Sequence, residues 1–146
     1  MSKVLKIGIT KNSVGTIDEA EKVKVVKGKG VVNDRHFKNA NDPKNHITLI
    51  ESENIDYYNR KYKTKIPYLN FRRNLVTQNL SLNNLIGKKI RIRDVEIVGI
   101  DLCRPCKHLQ EILKQNNIIK EFLLKGGLRC QVLTSGEIYK DDTIDF

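Results

Sequence analysis

The apolar residues of this chain come in short runs separated by turn residues, and that spacing limits the fold more than any other feature. Val4-Leu5-Lys6-Ile7-Gly8-Ile9 and Val23-Lys24-Val25-Val26 alternate as strands do, with successive side chains on opposite faces. Lys27-Gly28-Lys29-Gly30 breaks the pattern, and Val31 to Lys38 reads as a polar loop with a short apolar start. Ile47-Thr48-Leu49-Ile50 predicts a brief buried strand, and Asn74-Leu75-Val76-Thr77 another. Two hairpins are expected: Lys89 to Arg93 with Val95 to Ile100, turning at Arg93-Asp94, and Leu128 to Leu133 with Glu137 to Tyr139, turning at Ser135-Gly136. Helical spacing appears in Glu51 to Tyr62, with Ile55, Tyr58 and Tyr62 on one face. It recurs after Pro105, where Leu109, Ile112 and Leu113 fall at i, i+3 and i+4. Many short strands with two or three helices predict a mainly β fold, a β-barrel with peripheral helices. A parallel α/β sheet would need more regular alternation of strand and helix.

A chain of 146 residues suits one domain spanning 1–146, large enough to bury a core without disulfides. With 39% hydrophobic and 30% charged residues it has the composition of a folded globular protein, not of a disordered one. No apolar run approaches the roughly 20 residues of a membrane helix. Met1-Ser2-Lys3-Val4-Leu5-Lys6 has neither the apolar stretch nor the cleavage site of a signal peptide. Three cysteines are too few and odd in number for a disulfide framework, so a reducing, cytoplasmic setting is expected.

The net charge of +10 raises nucleic acid or an acidic protein as partners of a non-catalytic basic module. The lysines are spread along the chain, however. The aromatics Phe37, Tyr57, Tyr58, Tyr62 and Phe71 do not interleave with basic residues as a stacking platform would. Both features weigh against nucleic acid. A basic surface also attracts and steers small anionic ligands.

Chemistry concentrates at Cys103-Arg104-Pro105-Cys106, between a predicted strand and a helix expected to begin near Pro105. A thiol at a helix start, beside Arg104, Lys107 and His108, is placed to be a nucleophile or a soft-metal ligand. Two buried cysteines acting as small hydrophobes would have the same spacing but not the flanking charge. A structural zinc site would have to recruit Cys130, His36 and His46 from afar. A thioredoxin-like pair would need a later proline, and none follows Pro105. The third chemistry such a segment could serve is a single working cysteine that carries sulfur or binds a metal cofactor.

Three further segments complete the candidate site. In Gly30-Val31-Val32-Asn33-Asp34-Arg35-His36, Gly30 and Asn33 tolerate a sharp turn that would display Asp34, Arg35 and His36 together. In Phe71-Arg72-Arg73-Asn74, forked guanidinium donors at the mouth of a strand suit phosphate or carboxylate, and strand alternation predicts that one of the two arginines faces the site. In Gly126-Gly127-Leu128-Arg129-Cys130, the glycines allow close backbone approach, Arg129 extends the anion pocket, and Cys130 reads as core. Asp141 and Asp142, in a terminal turn, read as structural.

In this order the segments resemble the MOSC domain, the C-terminal module of molybdenum-cofactor sulfurases, which also occurs as small stand-alone bacterial proteins. The resemblance runs from about Gly8 to Asp142. It rests on Val32-Asn33-Asp34-Arg35-His36, Ile47-Thr48-Leu49-Ile50-Glu51, Arg72-Arg73-Asn74-Leu75-Val76-Thr77, Leu85-Ile86-Gly87, Cys103-Arg104-Pro105-Cys106-Lys107-His108-Leu109, Gly126-Gly127-Leu128-Arg129 and Gly136-Glu137-Ile138. It implies the MOSC, pyruvate-kinase-like β-barrel. It also implies that Cys106 matches the family's invariant cysteine, as ligand to the molybdenum of the molybdopterin cofactor or as carrier of a persulfide. Asp34, Arg35, His36, Arg72, Arg73, Asn74 and Arg129 would then bind the cofactor, and sulfur-donor or sulfur-acceptor proteins would be partners. Asn33 stands where the family usually has glycine, and Tyr68 follows Pro67 in place of a glycine. The additional domains of larger relatives, which mobilise sulfur from cysteine or deliver electrons, have no counterpart here, so complete oxidoreductase chemistry is not expected of this chain alone.

Overall fold

Side-chain alternation decides where the core lies. In the computed structural model, which describes residues 1–12, 17–38 and 42–146, the strands are β1 (Lys3–Ile9), β2 (Asp18–Ala20), β3 (Lys22–Val26), β4 (Gly30–Val31), β5 (Ile47–Glu51), β6 (Leu75–Gln78), β7 (Lys89–Ile92), β8 (Val95–Leu102), β9 (Leu128–Val132), β10 (Gly136–Tyr139) and β11 (Ile144–Asp145). The helices are α1 (Ser52–Tyr62), α2 (Lys107–Leu113) and α3 (Ile118–Glu121). In β7, Ile90 and Ile92 are buried while Lys89 and Arg91 face solvent. β1 departs from strict alternation: Val4 and Ile7 are both buried because the pairing register with β6 shifts between Val4 and Lys6, as a bulge requires.

Eight strands form one curled sheet in the order β11-β7-β8-β9-β5-β6-β1-β2, and β10-β3-β4 form a smaller one. The sheet curls until the chain around β11, at one end, meets the start of β1, next to the other end. Lys3 bridges Thr143, the amide of Val4 donates to the carbonyl of Asp142 at 2.9 Å, and that of Ile144 to Ser2 at 2.9 Å. The fold is therefore mainly β, a curled barrel sheet with three helices. Its interior holds Val4, Leu49, Ile97, Leu128 and Cys130 among others. A second core lies outside the sheet, where Ile50 and Val76 meet Ile55, Tyr58, Leu109 and Phe122 of the helical side. β5 is buried on both faces for this reason, which is why its sequence reads as a continuous apolar run.

The expected hairpin of Leu128 to Leu133 with Glu137 to Tyr139 does not form. β9 already has β8 on one edge and β5 on the other, so β10 pairs instead with β3. The polar loop expected from Val31 to Lys38 contains β4 and a 3-10 turn at Arg35–Lys38. Ile112, predicted inward with Leu109 and Leu113, is 38% exposed because the short α2 turns only Leu109 and Leu113 onto the core.

Gly127 is held at φ +108 where a Cβ would run into the carbonyl oxygen of Leu49. A side chain there is both conformationally strained and obstructed. Gly127→Ala is expected to lower unfolding stability by about 2 kcal/mol in urea titration, whereas Gly28→Ala, with open space around it, tests the backbone strain alone.

Candidate functional site

The end of β8 and the turn before β6 bring the predicted residues together. β8 pairs with β9 so that Asp101 lies opposite Arg129. The Arg129 guanidinium grips Asp101 with two hydrogen bonds, Nε to Oδ1 at 2.7 Å and Nη2 to Oδ2 at 2.8 Å. Two residues beyond Asp101, the amide of Cys103 donates to the carbonyl of Gly127 at 2.7 Å, which turns the chain inward and buries the Cys103 side chain. The Cys103 sulfur meets Arg73, a hydrogen-bonding neighbour, and Arg129. Burial pushes its thiol above the ordinary value, against the opposing pull of the two arginines.

Both members of the arginine pair reach this basin. The expectation of one arginine in and one out assumed strand geometry, but β6 begins only at Leu75. Arg72 closes the preceding 3-10 turn at φ 66, in the left-handed region, and this redirects the chain between the two side chains. Arg73 is anchored by the carbonyls of Gly126 (Nε, 3.0 Å) and Phe71 (Nη1, 3.2 Å). Arg72 donates to the carbonyl of Asn12 at 3.0 Å. Its pKa is lowered, first by burial and then by the neighbouring charge of Arg35.

Asn33 adopts φ 72, the left-handed geometry its side chain tolerates, and delivers Asp34 into the interior. The Asp34 carboxylate accepts from the amide of Thr10 (3.0 Å), from Asn74 Nδ2 (3.1 Å) and from the amide of His36 (3.3 Å). Asn74 uses its whole hydrogen-bonding capacity inside the protein. Its Nδ2 donates to Gly8 O and Asp34, and its Oδ1 accepts from the amide and hydroxyl of Thr48. Asn74 and Asp34 thus tie the loop bearing Arg35 and His36 to the turn bearing Arg72 and Arg73. Arg35 Nε donates to His36 Nε2 at 3.2 Å. Burial and then Arg35 hold the His36 imidazole below its ordinary pKa, while Asp34 and Asp42 oppose them.

Cys106 lies apart from this cluster. It is exposed and caps α2, its sulfur accepting from the amide of Leu109 at 3.4 Å. The helix consequently starts at Lys107, two residues later than expected from Pro105. Cys130 is a core residue, fully buried, and burial drives its thiol far above the usual range. Asp142 receives both Arg93 Nη2 (2.8 Å) and the amide of Tyr139 (2.7 Å), as a structural carboxylate would. Cys103 and Asp101 are the members of the basin that sequence reasoning did not place there. Only the pairing of β8 with β9 sets them beside Arg129.

The basin thus combines a buried thiol, four arginines and a histidine, and an exposed thiol lies outside it three residues on. The region that supplies all of them, residues 33–145, matches the family model for the MOSC domain. The chain belongs to the MOSC domain family. Solved structures agree on the fold. The YUAD protein from Bacillus subtilis superposes with a TM-score of 0.84 at 17% identity, covering 99% of this chain and 94% of that one. YiiM from Geobacillus stearothermophilus gives 0.79 at 17% identity over 99% of this chain and 74% of its own. YiiM from Escherichia coli gives 0.73 at 17% over 98% and 68%. A comparison with curated protein sequences returns no match. Among the described residues, no three His, Cys, Asp or Glu side chains of this MOSC domain cluster closely enough to hold a metal ion by themselves, and no helix is long and apolar enough to cross a membrane.

Proposed function

We propose that this MOSC protein binds the molybdenum cofactor, or carries sulfur for metal–sulfur cofactor metabolism, with the arginine basin holding the anion and Cys106 as the working thiol. The observation that carries this reading is a chain of neighbouring guanidiniums: Arg73 and Arg129 meet at Cys103, three residues before Cys106, and Arg72 lies beside Arg73 and Arg35. Arg73 is fixed by the carbonyls of Gly126 and Phe71 and Arg129 by the Asp101 carboxylate, so each fork is held in one orientation. Anchored forks of this kind suit the phosphate and the polar pterin edge of such a cofactor. A thiolate is a soft ligand for molybdenum, and the exposure of Cys106 leaves it within reach of a partner protein. When bound, the cofactor supplies a metal centre for two-electron chemistry. In the sulfur-carrier form of the reading, the Cys106 thiolate attacks the outer sulfur of a donor persulfide. The new S–S bond forms on Cys106 and the donor leaves as its thiolate.

The test is to purify the protein from cells supplied with molybdate and to assay molybdenum, pterin and cyanide-labile sulfur. Wild type is expected to carry at least one of them. Arg73→Ala, which removes one anchored fork, is expected to lower occupancy about tenfold, the equivalent of one charge-assisted hydrogen bond. Wild-type protein that never acquires pterin, metal or labile sulfur rules the reading out.

A further inference from the structure

We propose that His36 is the proton-accepting contact of the arginine basin, so that binding a dianionic tetrahedral oxyanion, such as a phosphomonoester or sulfate, draws one proton onto its Nε2. The inference rests on the anion-binding reading above and adds how the site is regulated and which anions it prefers.

The geometry supplies the starting state. A guanidinium Nε can only donate, so the 3.2 Å bond from Arg35 Nε to His36 Nε2 requires a lone pair on that nitrogen. The free site therefore holds a neutral imidazole that occupies one Arg35 donor. The loop cannot easily move away, because the His36 amide is bonded to Asp34, itself locked by Thr10 and Asn74. The charged groups facing the ring are Arg35 and Asp34 from its own turn, Asp42 from the segment before β5, and Arg73 from the turn before β6. Burial, the largest effect, favours the uncharged ring, as do Arg35 and Arg73, while Asp34 and Asp42 favour the charged one.

A dianion entering between Arg35 and Arg73 upsets that balance by two negative charges. Protonation of Nε2 becomes favourable and the Arg35 bond to it is lost. The ring and the released Arg35 Nε–H then both donate to the anion. A monoanion brings half the field and a weaker drive. Because the free imidazole titrates below its ordinary value and the bound one above that of the free state, affinity rises as pH falls between the two. Above the bound-state value, and below the free-state value, affinity does not change with pH.

Sulfate is the probe, since it remains dianionic throughout this range. Titration calorimetry at constant ionic strength, in two buffers of different ionisation enthalpy between pH 5.5 and 8, is expected to show uptake of up to one proton per sulfate. Affinity should rise as much as tenfold per pH unit in that window, and nitrate should show a shallower slope. His36→Gln should still bind sulfate but with no pH slope. The histidine signals followed by NMR, assigned by difference from His36→Gln, should show His36 titrating at higher pH with sulfate present. Sulfate binding without proton uptake, or a slope that survives in His36→Gln, overturns this inference and leaves the anion-binding reading standing. No sulfate binding at any pH overturns both.

Discussion

Asn74→Leu is expected to destabilise the fold by about 4 kcal/mol, read as a lowered midpoint in urea unfolding. The side chains are close in size, so packing changes little. What changes is a set of buried polar groups: the Thr48 amide and the Gly8 carbonyl lose the partner Asn74 gives them, and Asp34 Oδ1 keeps only the Thr10 amide. Each such group carries a penalty of about 1–3 kcal/mol. Asn74→Asp distinguishes hydrogen bonding from charge. It sets a second carboxylate where Nδ2 now lies 3.1 Å from Asp34, and two such groups share one proton. One folded-state pKa then rises above its unfolded value. Stability is accordingly retained at low pH and lost as pH rises through that value. A variant as stable at pH 7 as at pH 4.5 would show that Asp34 and Asn74 are not coupled.

Cys106→Ala is expected to abolish bound labile sulfur or molybdenum altogether, while Cys103→Ala retains most of it. The two thiols differ in access and in state. Cys106 is exposed, its sulfur accepting from the Leu109 amide, and truncating its side chain leaves the barrel core intact. Cys103 is 5% exposed, pushed toward the neutral thiol by burial, and enclosed by Arg73 and Arg129. A donor protein cannot reach it without opening the strand end, where its amide is bonded to Gly127. Cys103→Ala should instead lower stability by about 1 kcal/mol, as the loss of a small buried side chain does. The reverse pattern, loading lost in Cys103→Ala and kept in Cys106→Ala, would move the working thiol into the basin.

The strand segments were legible because the barrel wall buries one face of most strands, leaving period-two patterns in β3, β7 and β8. β5, buried on both faces, was legible as a short apolar run. The turn at Arg93-Asp94 and the left-handed Asn33 follow from local backbone preference and needed no tertiary information. The four arginines and Cys106 were likewise singled out as residue types, with the MOSC resemblance joining segments far apart in the chain.

Pairing partners were not legible, because an open strand edge carries no sequence label. Leu128 to Val132 and Glu137 to Tyr139 look like neighbours until β5 and β8 occupy both edges of β9. The same applies to the site. Asn74 reads as a ligand-binding amide, and only the approach of Thr48, Gly8 and Asp34 uses its hydrogen bonds internally. Arg72 and Arg73 read as opposed, and a left-handed turn before β6 brings both to the basin. Cys103 and Cys106 read as one motif. A hydrogen bond to Gly127 draws the first inward, and the capping of α2 leaves the second at the surface, because four residues of irregular backbone lie between strand and helix.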